Sequence, residues 1–296
     1  MKVALIGNCQ IESIAACLRI VVPKASIELF HSWNMSAEFE SIADLVERLR
    51  SFEIVLSHRF YNVQHLPFNE LASLDNFVEF PVINFSAFHP DCVYLVESET
   101  RRIVHSVTGD YNSALIAYSY SRGLSIEECR SAFREEVYDY VGYLSAWTPA
   151  LEALNSEFHR CGFDVRVFLT NWLRHGPFMH SINHPRLFAV NDVVIEALRR
   201  RNVPCTNVSN ISDYAADPLL AYAKWPIYPE IASFYGFSGD HLFKNSVTPD
   251  GSQYAFDLDD FIRLSYETYG AASVKQFASA QMEAWDKLNL VGFIRG

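Results

Sequence analysis

Short apolar runs and helix-period stripes alternate along the first 85 residues. Residues 2–6 form a brief apolar run of the kind that makes a strand buried on both faces. Residues 10–20 follow with Ile11, Ile14, Ala15 and Leu18 at helical spacing. The pattern then predicts a strand over 26–30 and a helix over 38–50, with Phe39, Ile42, Leu45, Val46 and Leu49 in register. A third strand is expected over 53–56. A fourth falls within 77–85, where Pro81 makes it an edge strand or delays its start to 82. Strand, helix and strand at this spacing imply right-handed crossovers and a parallel sheet.

Beyond residue 85 the pattern turns mostly helical. Ser125-x-x-Glu128 is a capping box that opens a helix over 126–141. Another helix is expected over 147–161, ended by Gly162, and another over 192–201, ended by Pro204. Residues 165–170 (Val-Arg-Val-Phe-Leu-Thr) read as a returning strand. An aromatic, loop-rich stretch runs to about 255, followed by amphipathic helices over 258–269 and 272–288. The expected fold is α/β, a Rossmann-like parallel sheet with a large helical insertion or lobe. Residues 1–110 would form the α/β part and 111–296 the mainly helical part, in one integrated domain.

Composition narrows the function more than the fold. Of 296 residues, 50% are hydrophobic and 20% charged, so a core of normal size needs no disulfide or metal staple. The net charge of −11 has the wrong sign for a phosphate-backbone binder, so no nucleic-acid partner is expected. Arg101-Arg102 and Arg199-Arg200-Arg201 are the local exceptions. The first apolar run is too short for a signal peptide, and nothing approaches the ~20 apolar residues of a membrane span. A cytoplasmic protein with no membrane insertion is expected. Its six scattered cysteines would then be free thiols.

In open parallel sheets, ligands bind beyond the carboxyl ends of the strands. Polar and titratable residues recur there: Gly7-Asn8-Cys9-Gln10, His31, Ser57-His58-Arg59, Asn84, Phe88-His89-Pro90-Asp91, and Asn183-His184-Pro185. One glycine follows the first strand rather than three, which disfavours a dinucleotide. Cys9 falls at the first turn of a helix, where free N–H groups and the helix dipole would lower a thiol's pKa. Gly7 permits the tight turn, and the Gln10 N–H with the Asn8 side chain could form an oxyanion hole. His58, His89 and His184 are candidate bases, with His105 and His180 behind them. His180 and His184 have the i, i+4 spacing of helical zinc sites. No Glu follows the first of them, though, and Pro185 opposes a helix, so no metal is expected.

Four segments, in this order and spacing, resemble the WcbI-type polysaccharide biosynthesis proteins. They are Gly7-Asn8-Cys9-Gln10, Phe88-His89-Pro90-Asp91, Gly109-Asp110-Tyr111-x-Ser113 leading to Gly123-Leu124-Ser125, and Asn183-His184-Pro185. They cover about residues 1–190. The resemblance implies acetyltransferase activity in bacterial capsule assembly, coenzyme A or acetyl-CoA as substrate, and a sugar or glycan acceptor. It also implies an active-site cysteine in the Gly-Asn-Cys-Gln turn.

Cys9, Asn8, Gln10 and Asn183 would then hold the reacting groups, with His58, His89 or His184 as base. Gly7, Arg59, Arg101 and Arg102 would hold the cofactor end. Two other classes fit the same residues. One is a cysteine-dependent hydrolase, and the other is a non-catalytic CoA- or glycan-binding module. In the second, the aromatics of 222–237 would stack on sugar faces. A homo-oligomer is compatible with either.

Overall fold

The computed structural model describes all residues except 62–64, 249–250, 273 and 275. In chain order, β1 (Lys2–Gly7), α1 (Gln10–Val21), β2 (Ser26–His31), α2 (Met35–Glu38), α3 (Ile42–Leu49), β3 (Ile54–Ser57) and β4 (Phe77–Glu79) make the amino-terminal α/β part. The strands pair in parallel in the order β2-β1-β3-β4, with β1 and β3 inside and β2 and β4 at the edges. The strand before Pro81 is therefore an edge strand, and it stops at Glu79 because proline has no N–H to give the ladder. The helix expected over 38–50 is interrupted: Phe39 is extended, and the Ser41 hydroxyl caps α3 by accepting the Asp44 N–H at 3.2 Å.

Next come β5 (Cys92–Val96), β6 (Ile103–Val104), β7 (Tyr111–Ser113), α4 (Ala114–Ser121), α5 (Ile126–Ser131), α6 (Glu135–Tyr140) and α7 (Trp147–Arg160). The capping box at Ser125 and Glu128 forms as expected. The helix it opens breaks after one and a half turns, where Arg134 is extended. Then α8 (Arg166–His175), α9 (Leu187–Arg200), α10 (Pro229–Phe234), β8 (Phe243–Lys244), β9 (Ala255–Phe256), α11 (Leu258–Ala271), α12 (Ala280–Lys287) and α13 (Leu290–Arg295) complete the chain. Of the helix expected over 272–288, residues 273 and 275 lie outside the described residues.

The returning strand expected at 165–170 does not exist: these residues open α8. Val165, Phe168 and Trp172 are buried while Val167 is 70% exposed. That is a helical period which six residues were too few to reveal.

The chain forms two compact units. The first comprises 1–84, 152–178 and 183–219; the second comprises 85–151, 179–182 and 220–296. The division does not follow the expected boundary at residue 110. In the first unit, Ala4, Ile6 and Val55 on one sheet face pack with Leu45 and Leu49 of α3, closing a core around Phe30, Phe52 and Phe68. Because side chains alternate along a strand, Val3 and Leu5 face the other way. There α1 packs on β1 and on α9. The second unit holds the antiparallel sheet β6-β5-β7 and the helices around it.

Candidate active site

The turn after β1 is built by close approach. A β-carbon at Gly7 would lie 2.4 Å from Nδ1 of His58, so only glycine lets β1 run over that imidazole. His58 directly follows β3, donates its own N–H to the Ile6 carbonyl at 2.8 Å, and lies against Phe80. It is fully buried, neither ring nitrogen has a partner among the described residues, and burial pushes its pKa down to about 3. His58 thus supports the turn as a neutral ring.

Asn8 and Gln10 hold the turn in a different way from the one the sequence suggested. The Gln10 N–H donates to Oδ1 of Asn8 at 3.0 Å, so one of the two expected oxyanion donors is already used. Of that pair of donors, the Asn8 amide nitrogen has no partner among the described residues. The buried Gln10 side chain donates from Nε2 to the carbonyls of Ile83 (3.0 Å) and Asn183 (2.8 Å), and its Oε1 accepts the Ile83 N–H at 3.1 Å. One glutamine therefore ties the segment after β4 and the segment before α9 to the first turn of α1. Asn183 takes part through its carbonyl.

This tie delivers His184 to Cys9: Nε2 lies 3.4 Å from Sγ. Pro185 keeps His184 out of the helical region, so α9 starts only at Leu187. The expected depression of the thiol pKa does not follow. The Cys9 and Gln10 amides do lower it, but burial first, and then the charge of Glu12, push it up to about 11. At neutral pH Cys9 is therefore held as the thiol.

A cleft of about 440 Å³ adjoins the turn. Asn8 and Asn84 offer amides to it, Val82, Ala153 and Leu154 give apolar walls, and Arg59 and Arg160 border it. Arg59 makes a forked ion pair with Glu79 (2.9 and 3.3 Å) and lies over Phe68. Arg160 also pairs with Glu79 and, at 2.7 Å, with Glu157. Arg160 was not anticipated, because it stands in an ordinary helical pattern. Only the fold shows that its turn of α7 reaches Glu79.

The remaining candidates lie in the second unit. His89 is buried, with Nδ1 3.2 Å from the Pro226 carbonyl and its pKa pushed down to about 3 by burial. Asp91 accepts from Tyr228 (2.6 Å), Tyr143 (2.8 Å) and the Leu115 N–H (2.9 Å), and burial raises its pKa to about 6. Arg101 and Arg102 are exposed on the β5–β6 hairpin, where Arg102 pairs with Glu97 at 3.5 Å. Of the aromatics in 222–237, Trp225 and Tyr228 are core residues, whereas Phe234 is 60% exposed. Among the described residues, no group of three or more His, Cys, Asp or Glu side chains could hold a metal ion. No helix there is long and apolar enough to cross a membrane.

The fold has a solved counterpart. A structure of WcbI, described as a novel polysaccharide biosynthesis enzyme, superposes with a TM-score of 0.67. It covers 96% of this chain and 92% of its own, at 14% identity. That protein is described as native, without a disulfide bond between coenzyme A and one of its cysteines. No curated protein matches the chain. The sequence profile of the polysaccharide biosynthesis enzyme WcbI matches residues 2–206, a span that holds the Cys9 turn, the cleft and His184. The chain therefore belongs to the WcbI family of polysaccharide biosynthesis enzymes.

Proposed function

We propose that the protein transfers an acyl group, acetyl in the first instance, from acetyl-CoA to a carbohydrate hydroxyl, with Cys9 and His184 as the reacting pair. The observation that carries this is the 3.4 Å approach of Cys9 Sγ to His184 Nε2, on a turn whose neighbouring residue Asn8 lines the cleft. The description of the solved WcbI, which names coenzyme A together with one of its cysteines, as without a disulfide bond between them, is in keeping with a CoA donor.

The cleft's residues fit the donor. Apolar walls with the Asn8 and Asn84 amides suit the pantetheine arm, and Arg59 and Arg160 suit its phosphates. A buried thiol with its pKa pushed up needs a base to become a nucleophile. His184 Nε2 takes the Sγ proton as sulfur attacks the acyl carbonyl, and returns it to the departing CoA thiolate. It then takes the proton of the sugar hydroxyl, which attacks the Cys9 thioester and restores the thiolate. That thiolate recovers the proton from His184. Should the hydroxyl attack acetyl-CoA directly, His184 is still the base, and Cys9 only positions the thioester.

Calorimetry of CoA and acetyl-CoA on the wild type and on Cys9→Ala tests the donor assignment. Micromolar binding that changes in the variant is expected, and a folded wild type that binds neither would overturn it. Cys9→Ser separates the two routes, since more than a tenth of wild-type turnover excludes the covalent one. Acetate release without an acceptor would move the enzyme to the hydrolases.

A further inference from the structure

We propose that Trp33 is the platform of the acceptor-sugar subsite, with Glu12 and His31 bonding the sugar's hydroxyls. This rests on the transfer reading for the purpose of a sugar at that place. Trp33 is 59% exposed, whereas Trp172, Trp225 and Trp285 are buried and Trp147 is half-buried. Its ring lies flat on His31, with centroids 4.5 Å apart and planes inclined by 22°. One face is thus backed by imidazole and the exposure comes from the other. His31 Nε2 is 3.8 Å from Glu12 Oε1, and its Nδ1 is buried without a partner among the described residues.

Position decides what the ring would bind. His31 is in register with Gly7, and the Ser32 N–H donates to the Gly7 carbonyl at 2.8 Å. Residues 31–33 therefore run along the same sheet edge as the Cys9 turn. Glu12 stands one helical turn beyond Cys9, and its charge is felt at the thiol. The strand order β2-β1-β3-β4 puts the cleft, lined by residues that follow β3 and β4, on one flank of the turn. Trp33, following β2, is on the other. A donor on one flank and an acceptor on the other leave the sulfur between them.

A pyranose has an apolar C–H face and a rim of hydroxyls, which match a flat indole flanked by a carboxylate and an imidazole. An adenine ring would stack equally well. In CoA, however, it lies at the far end from the sulfur, while Trp33 is linked to Cys9 through only Glu12 and His31.

The test uses the full chain and a panel of methyl hexopyranosides. As the most exposed tryptophan, Trp33 should supply most of the acrylamide-quenchable fluorescence, and a bound glycoside should protect it saturably, in wild type and in Cys9→Ala alike. With the protecting glycoside as acceptor, Trp33→Ala should raise KM at least tenfold and leave CoA affinity within twofold, and Trp33→Phe should restore most of the loss. The proposal falls if no glycoside protects the ring, if Trp33→Ala leaves KM within twofold, or if it weakens CoA binding instead. Glycoside protection in a wild type that does not bind CoA would sink the transfer reading and leave the subsite standing. CoA-dependent turnover with an unprotected ring would do the reverse.

Discussion

The protonation of Cys9 is the most direct check on the site. A thiol at a helix start is expected to ionise readily, yet here burial and the Glu12 carboxylate raise its pKa from 9.0 to about 11. Two units leave ~100-fold less thiolate at neutral pH than an ordinary thiol has. Only thiolate reacts with iodoacetamide. Alkylation of Cys9, followed by peptide mass mapping, should therefore climb about tenfold per pH unit between pH 7 and pH 10 without levelling. The reference is a capped Gly-Asn-Cys-Gln tetrapeptide, whose rate should level about two units earlier. The shape of the profile is what counts, because steric shielding slows every pH alike. Glu12→Gln removes the second cause of the shift and should move the profile to lower pH. A plateau reached below pH 8 would refute the reasoning. If that plateau vanished in His184→Ala, the resting pair would be thiolate and imidazolium.

Three further outcomes follow from the geometry. Gly7→Ala places a methyl group 2.4 Å from His58 Nδ1 and should cost ~1–3 kcal/mol by overpacking, read as a lower urea midpoint. A second change, His58→Ala, should make the Gly7→Ala penalty smaller, and independent penalties would count against the contact. Gln10→Ala strips partners from the Ile83 N–H and carbonyl and from the Asn183 carbonyl, a loss on the order of 3 kcal/mol with a large fall in kcat. Unchanged kcat in that variant would mean that His184 is not held by this tie. His58 and His89, held neutral by burial with pKa near 3, must gain protons on unfolding in acid, so their contribution is lost as pH falls from 6.5 toward 3. Asp91, raised from 3.8 to about 6, acts oppositely and favours the fold as pH falls through that window. Two losses against one gain leave the protein on the order of 2 kcal/mol less stable at pH 5 than at pH 7, and an equal or higher urea midpoint at pH 5 would contradict this.

Much of the amino-terminal architecture was legible because the first three strands and α1 carry clean local patterns. Ile11, Ile14, Ala15 and Leu18 repeat at helical spacing and are all buried. Val3 to Ile6 are apolar throughout because the strand is covered on both faces. Residues 165–170 misled because Val, Phe and Leu in a short window suit either period, and Trp172 had to be included to choose. The break between α5 and α6 has no proline or glycine to announce it. It is a tertiary override in which Phe133 turns into the core.

The sequence by itself determined that a strand ends at Gly7, that a helix begins after Cys9, and that His184 stands before a proline. These are local properties, set by side-chain period and backbone restriction within a few residues. What Cys9 does depends on groups remote in sequence. His184 is 175 residues away, and it is brought to 3.4 Å because Gln10 bonds the backbone of Ile83 and Asn183. Likewise, the dipole at the start of α1 is written in the sequence, but the burial that outweighs it arises only when the chain closes around the turn. A pKa is set by the whole dielectric surroundings of a group, and those surroundings exist only in the tertiary structure.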